Sequence, residues 1–188
     1  MKKKRLPKNA KPVFKGEIFE VWQWPQKMFD GSVATFEMLK RPDTAQVIPV
    51  VGDKILVLNE QQPNQPRTFL GLAGGRLEPG ETPLNAAKRE LLEETGYVAR
   101  DWKLRQAINP VGKMIWTVYT YIARDCLYWQ PQKLDAGEKI TSKLISYDEF
   151  LQLADEPNFY ETELVNAMLR ARYDKKEYKK FYKLLFNK

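Results

Sequence analysis

One stretch constrains this chain more than any other: Gly75-Arg76-Leu77-Glu78-Pro79-Gly80-Glu81-Thr82-Pro83-Leu84-Asn85-Ala86-Ala87-Lys88-Arg89-Glu90-Leu91-Leu92-Glu93-Glu94-Thr95-Gly96-Tyr97. Thr82 as cap and Pro83 at the first helical position open a helix. Gly96, free to turn left-handed, closes it. Leu84, Ala87 and Leu91 recur at i, i+3 and i+7, an apolar stripe that must dock on a core. On the same helix Glu90 and Glu94 stand at i and i+4, about 6 Å apart along the axis, with Glu93 beside them. Three carboxylates repel one another unless something positive sits among them, and Lys88 and Arg89 supply only part of that charge. An acidic face on a docked helix suits a hard divalent cation such as Mg²⁺, which takes oxygen ligands and keeps several waters. The preceding glycines, Gly74-Gly75 and Gly80, let backbone approach whatever the cation holds, and a phosphate-rich substrate is the natural occupant.

Composition narrows the chemistry. The chain of 188 residues has no histidine, which removes Ser-His-Asp and Cys-His triads and every histidine acid–base mechanism. A single cysteine, Cys126, forms no internal disulfide and points to a reducing, cytoplasmic setting. The opening Met1-Lys2-Lys3-Lys4-Arg5 is followed by polar, proline-broken sequence instead of an apolar stretch, and no run long enough to span a membrane follows. The formal charge of +7 is uneven: residues 1–16 carry +7 and 170–188 carry +6, leaving −6 on 17–169. Basic ends attract polyanions, but charge blocks at chain ends are more often solvated tails, so nucleic acid is the less favoured partner class.

Periodicity predicts a strand over 13–24 ended by Pro25, a second near 33–41 after Asp30-Gly31, and a hairpin of 46–51 with 55–58 across Gly52-Asp53-Lys54. Phe69–Leu72 is a short apolar piece leading into the glycines. Strands follow near 99–108, 113–124 and 139–145, and the remainder is helical. Tyr178, Phe181, Tyr182 and Leu185 stripe a final helix that reads as docked on the core.

The helix segment resembles the Nudix box: a glycine, five residues, a glutamate, seven residues, then R-E-U-x-E-E-x-G-U, where U is bulky and apolar. Gly75, Glu81, Arg89, Glu90, Leu91, Glu93, Glu94 and Gly96 match, and Tyr97 replaces the usual aliphatic residue. The resemblance implies an α/β/α sandwich around a mixed sheet, here with a small N-terminal β-extension. The expected organisation is a basic tail over 1–12, the extension over 13–42, a Nudix domain over 43–173 and a basic amphipathic helix over 174–188. It also implies hydrolysis of a nucleoside diphosphate linked to another group, with Mg²⁺ or Mn²⁺. Glu90, Glu93, Glu94 and the Gly74 carbonyl are the implied metal ligands. Glu93, Glu94, Arg89 and Glu138 are the implied catalytic group, Glu138 lying in an acidic loop where relatives carry a glutamate that serves as general base or metal partner. Glu81 and Gly96 are implied supports, and Gly75 lies against the substrate.

The strand-rich extension is similar to that of ADP-ribose and nucleotide-sugar pyrophosphatases, where it pairs two subunits, so a homodimer is expected. Gly74-Gly75 is closer to MutT-like enzymes, which keeps a triphosphate or capped-RNA hydrolase open as the alternative. Trp22 and Trp24 can stack a base, and Arg67 can pair a phosphate; core or interface packing remains the competing role for both tryptophans.

Overall fold

The computed structural model describes residues 5–187. The expected basic tail lies partly outside the described residues, in residues 1–4, and so does Lys188. In chain order the elements are β1 (Lys11–Lys15), β2 (Glu20–Lys27), β3 (Val33–Lys40), β4 (Thr44–Val51), β5 (Lys54–Gln61), β6 (Phe69–Gly71), β7 (Gly74–Arg76), α1 (Pro83–Thr95), β8 (Tyr97–Val98), β9 (Asp101–Ile108), β10 (Met114–Ile115), β11 (Val118–Arg124), β12 (Leu127–Tyr128), β13 (Lys139–Ile145), α2 (Tyr147–Gln152), α3 (Thr162–Tyr173) and α4 (Lys175–Phe186).

The central sheet runs β13-β5-β4-β11-β9 and is mixed, because β11 lies parallel to β4 while its other pairings are antiparallel. Strands β4 and β5 pair only beside their turn, at Val50–Ile55 and Val51–Lys54, and then splay apart. The split is filled from both sides, β6 pairing with β5 and β7 with β4. That opening delivers the Gly74-Gly75 segment to the mouth of the sheet.

Alternation along the strands sorts the core into two layers. Val47, Leu56 and Leu58 face α1 together with Ala86, Ala87 and Leu91. Ile48, Ile55, Val57 and Ile122 face the other way, onto Phe150 of α2, Leu164 and Met168 of α3, and Phe181 and Leu185 of α4. Helices therefore cover both faces, the α/β/α sandwich expected. The C-terminal stripe is docked, with Phe181, Leu185 and Phe186 all buried.

Three sequence expectations need correction. The single strand expected over 13–24 is two, β1 and β2, separated by a turn in which Gly16 N donates to Phe19 O. Pro25 does not stop β2; it pairs with Thr35 of β3 beyond the end of β1, where β2 has a neighbour on one side only and a missing N–H is tolerated. The strand expected over 113–124 breaks at Trp116-Thr117, because β10 joins β3 in the N-terminal sheet while β11 enters the central one. The crossing is held by Thr117 N on Asp43 Oδ1 (2.9 Å) and by the Trp116 indole N–H on Thr44 Oγ1 (3.0 Å).

Candidate active site

Helix α1 begins and ends where its sequence requires. The Thr82 hydroxyl accepts from Asn85 N, Pro83 takes the first turn, and Gly96 adopts φ +75° while its N–H bonds to Leu92 O. This register sends Glu90 and Glu94 inward, 9 % and 5 % exposed. Glu94 Oε2 accepts from Gly74 N at 2.8 Å, which ties the helix to the glycine bend. A Cβ on Gly75 would lie 2.1 Å from Glu90 Oε1, and one on Gly74 2.7 Å from Ala45 O. The double glycine is therefore required by the protein's own carboxylate and strand, ahead of any substrate.

Arg89 organises the rest. Its Nε and Nη2 fork onto Glu81 (3.1 and 3.0 Å), Nη1 reaches Glu90 and Glu93 (2.9 and 3.1 Å), and Nη2 also reaches Arg76 O (3.1 Å). All five N–H donors of the guanidinium are engaged, which a lysine cannot reproduce. The Arg89 hydrogen bonds hold the Glu81 carboxyl below the usual range and keep Arg89 firmly protonated. The one cation thus spans loop and helix.

The sequence did not single out Glu60 and Glu161. Burial pushes the Glu60 carboxyl up to about 7, aided by the charge of Glu138. Glu90 is likewise pushed to about 7 by burial, partly offset by Arg89. Glu94 is raised well above the carboxylate range, first by burial and then by Glu60 and Glu90. Glu161 accepts from Leu72 N (3.0 Å) and also stays raised through burial, with Glu163 and Glu60 adding repulsion. These groups come from β5, α1 and the start of α3, and only folding makes them neighbours. The one sequence clue was negative: with no histidine, the chemistry had to come from carboxylates, hydroxyls, amines or a metal held by oxygen ligands.

Glu138 sits just before β13, whose pairing with β5 brings the loop towards Glu60, and its charge acts on Glu60, Glu90 and Glu94. Its Oε2 accepts from Asp135 N (3.2 Å). The structure brings Gly74, Gly75, Glu81, Arg89, Glu90, Glu93, Glu94 and Glu138 into one region. Trp22 and Trp24 stand apart, in the N-terminal sheet. The Trp22 indole donates to Glu20 and lies under Lys40; Trp24 is buried against Phe36 and donates to Gln26. Arg67 is exposed in the loop before β6.

Among the described residues no three acidic groups close into a ready-made cation cage. The donor set nevertheless fits a hard divalent ion: oxygen only, anionic, and crowded enough that burial and mutual repulsion resist full ionisation. Beside it, Thr44, Gln46, Leu72, Gly74, Trp116, Val118, Tyr160, Glu161 and Glu163 line a cavity of about 160 Å³.

Known proteins share this plan. The ADP-ribose pyrophosphatase of Bacillus subtilis is 24 % identical over 83 % of this chain and 86 % of its own length. The ADP compounds hydrolase NudE of Escherichia coli is 22 % identical over 87 % of this chain and 89 % of its own. A crystal structure of an ADP compounds hydrolase superposes with a TM-score of 0.73 at 22 % identity, covering 88 % of this chain and 91 % of that one. The family model described as NUDIX domain matches residues 40–164, from the end of β3 through the glycine bend and α1 to the start of α3. With its defining helix, bend and supporting arginine all inside that match, the chain belongs to the NUDIX domain family.

Proposed function

We propose that this protein hydrolyses the diphosphate of ADP-ribose or a related nucleoside diphosphate sugar, releasing a nucleoside monophosphate and a sugar phosphate. The observation that carries the reading is the buried Glu90–Glu94 pair facing the glycine bend, with Glu138 acting on both. The names of two full-length relatives support the substrate class.

Glu90, Glu93, Glu94 and the Gly74 carbonyl would hold Mg²⁺ or Mn²⁺. When bound, the ion neutralises charge on the transferring phosphoryl group and lowers the pKa of the attacking water. Arg89 and Glu81 keep the ligands in register. Glu138 accepts the proton as the water oxygen bonds to phosphorus and the bridging P–O bond breaks. Among the described residues no helix is long and apolar enough to cross a membrane, and a lone buried Cys126 suits a reducing cytoplasm. The exposed Val13, Phe14 and Val33 of the N-terminal sheet favour its use as a homodimer face. Across such a face Trp22 and Trp24 would approach a neighbouring site, while Arg67 would meet a phosphate from its loop.

Glu94→Gln in Mg²⁺ should lower turnover of ADP-ribose by about a thousandfold or more, as loss of a central charge-stabilising group does, with thermal unfolding unchanged or raised. Glu138→Gln tests the base separately, and wild-type turnover there removes that role. A product-resolved screen with nucleotide sugars, triphosphates and capped RNA that finds a triphosphate preferred would replace the substrate assignment.

A further inference from the structure

The cavity beside the glycine bend is built to read a specific kind of group. Gly74 joins the two regions: its N–H holds Glu94, and its backbone lines the cavity. A substrate whose diphosphate lies against the box would therefore extend its attached group into this space. The volume, about 160 Å³, is close to what one benzene-sized ring occupies.

Its lining rejects anions and favours donors. No lysine or arginine lines it, while Glu161 and Glu163 both do. Glu161 Oε1 is bound by Leu72 N, and Thr44 Oγ1 by the Trp116 indole. Glu163 accepts from Gln46 Nε2, whose amide also bonds to Thr120, and this fixes the carboxylate. A carboxyl group has about four acceptor sites, so its contacts with Gln46 and with the neighbouring Glu161 leave capacity toward the cavity. Glu163 is only half-buried and remains reachable. Trp116 also lines the cavity, held in place by Thr44 and by the Arg41 guanidinium, stacked 4.6 Å from its ring.

We propose that this cavity is the subsite for the group attached to the diphosphate, that it takes a single ring presenting neighbouring hydrogen-bond donors, and that Glu163 is the residue that selects for it. The proposal rests on the hydrolase reading above. Two chemical sources meet the requirement, a sugar with adjacent hydroxyls and a guanine edge with its neighbouring N–H groups. Adenine does not, since it sets ring-nitrogen acceptors beside its amino group and would place acceptor against acceptor.

The test compares kcat/KM of the full chain in Mg²⁺ for ADP-ribose, diguanosine diphosphate, diadenosine diphosphate and the ethyl ester of ADP, which has no second ring. Glu163→Gln should lower the preference for the donor-bearing substrate over the ethyl ester by about tenfold or more, the size expected for a lost charged hydrogen bond, and the change should appear in KM. A loss shared by ADP-ribose and both dinucleoside diphosphates, all of which carry a ribose diol, identifies the diol, whereas a loss confined to diguanosine diphosphate identifies guanine. Trp116→Leu should act in the same direction, and Trp116→Phe, which keeps a stacking face, should recover most of the preference. Equal losses across all four substrates, or none, overturn the subsite. Calorimetry with ribose 5-phosphate and with GMP, without divalent ions, separates the two readings. Glu163-dependent binding in a protein that hydrolyses no diphosphate keeps the subsite and removes the hydrolase reading. Hydrolysis indifferent to Glu163 does the reverse.

Discussion

At the scale of single residues the site is a contest between burial and charge. Glu60 shows this without being an expected ligand. Its carboxyl is pushed up to about 7, above the ordinary 4.5, so the folded chain binds that proton more tightly than the unfolded chain. The stability it contributes is present below pH 4.5 and lost as pH rises through about 7. In EDTA, Glu60→Gln should therefore raise Tm more at pH 8 than at pH 5; an equal shift at both would show that burial does not hold the proton there. Gly75 tests the contacts. A methyl group there meets Glu90 Oε1 at 2.1 Å, so Gly75→Ala must displace a carboxylate that Arg89 also holds. Activity should fall at least tenfold, the scale of losing one charged contact, and steady-state kinetics with a melting curve will separate this from unfolding.

At the scale of elements, α1 is specified almost entirely by its own sequence. Cap, first-turn proline, buried stripe and left-handed stop all fall where local rules put them. The stop is also a docking point, because the amides of Trp129 and Gln130 both donate to Gly96 O. Gly96→Ala should thus cost more than the roughly 1–2 kcal/mol of a left-handed alanine, since its Cβ would lie 2.0 Å from Gln130 O. Urea unfolding gives the number, and a loss under 1 kcal/mol would mean that the 129–130 segment moves freely. The strands behaved differently. Residues 113–124 are β-prone throughout, yet β10 and β11 belong to different sheets. Propensity reports that a segment can be extended; it is silent on the partner.

At the scale of the whole molecule, the basic C-terminal helix proves to be structure. Leu185 is fully buried, and Arg124 of β11 donates to Leu184 O and Leu185 O, so α4 closes the core over the central sheet. Truncation after Asp174 should yield a protein that aggregates or lacks a cooperative thermal transition by circular dichroism; a soluble, cooperative fragment would demote α4 to an appendage. The amino-acid sequence alone determined the helix with its three carboxylates, its arginine, its bend and its ends. The helix, its ends and its charged face depend on residues within one or two turns of each other, and i, i+4 geometry is the same in any fold. Tertiary structure alone decided that β4 and β5 would part to admit β6 and β7, that Glu161, Glu163, Gln46 and Trp116 would gather beside Gly74, and that Glu60 would act on Glu161. Apart from Glu161 and Glu163, which share the start of α3, those residues sit on separate elements far apart in the chain. Their meeting follows from strand pairing and core packing between distant segments, which no local spacing records.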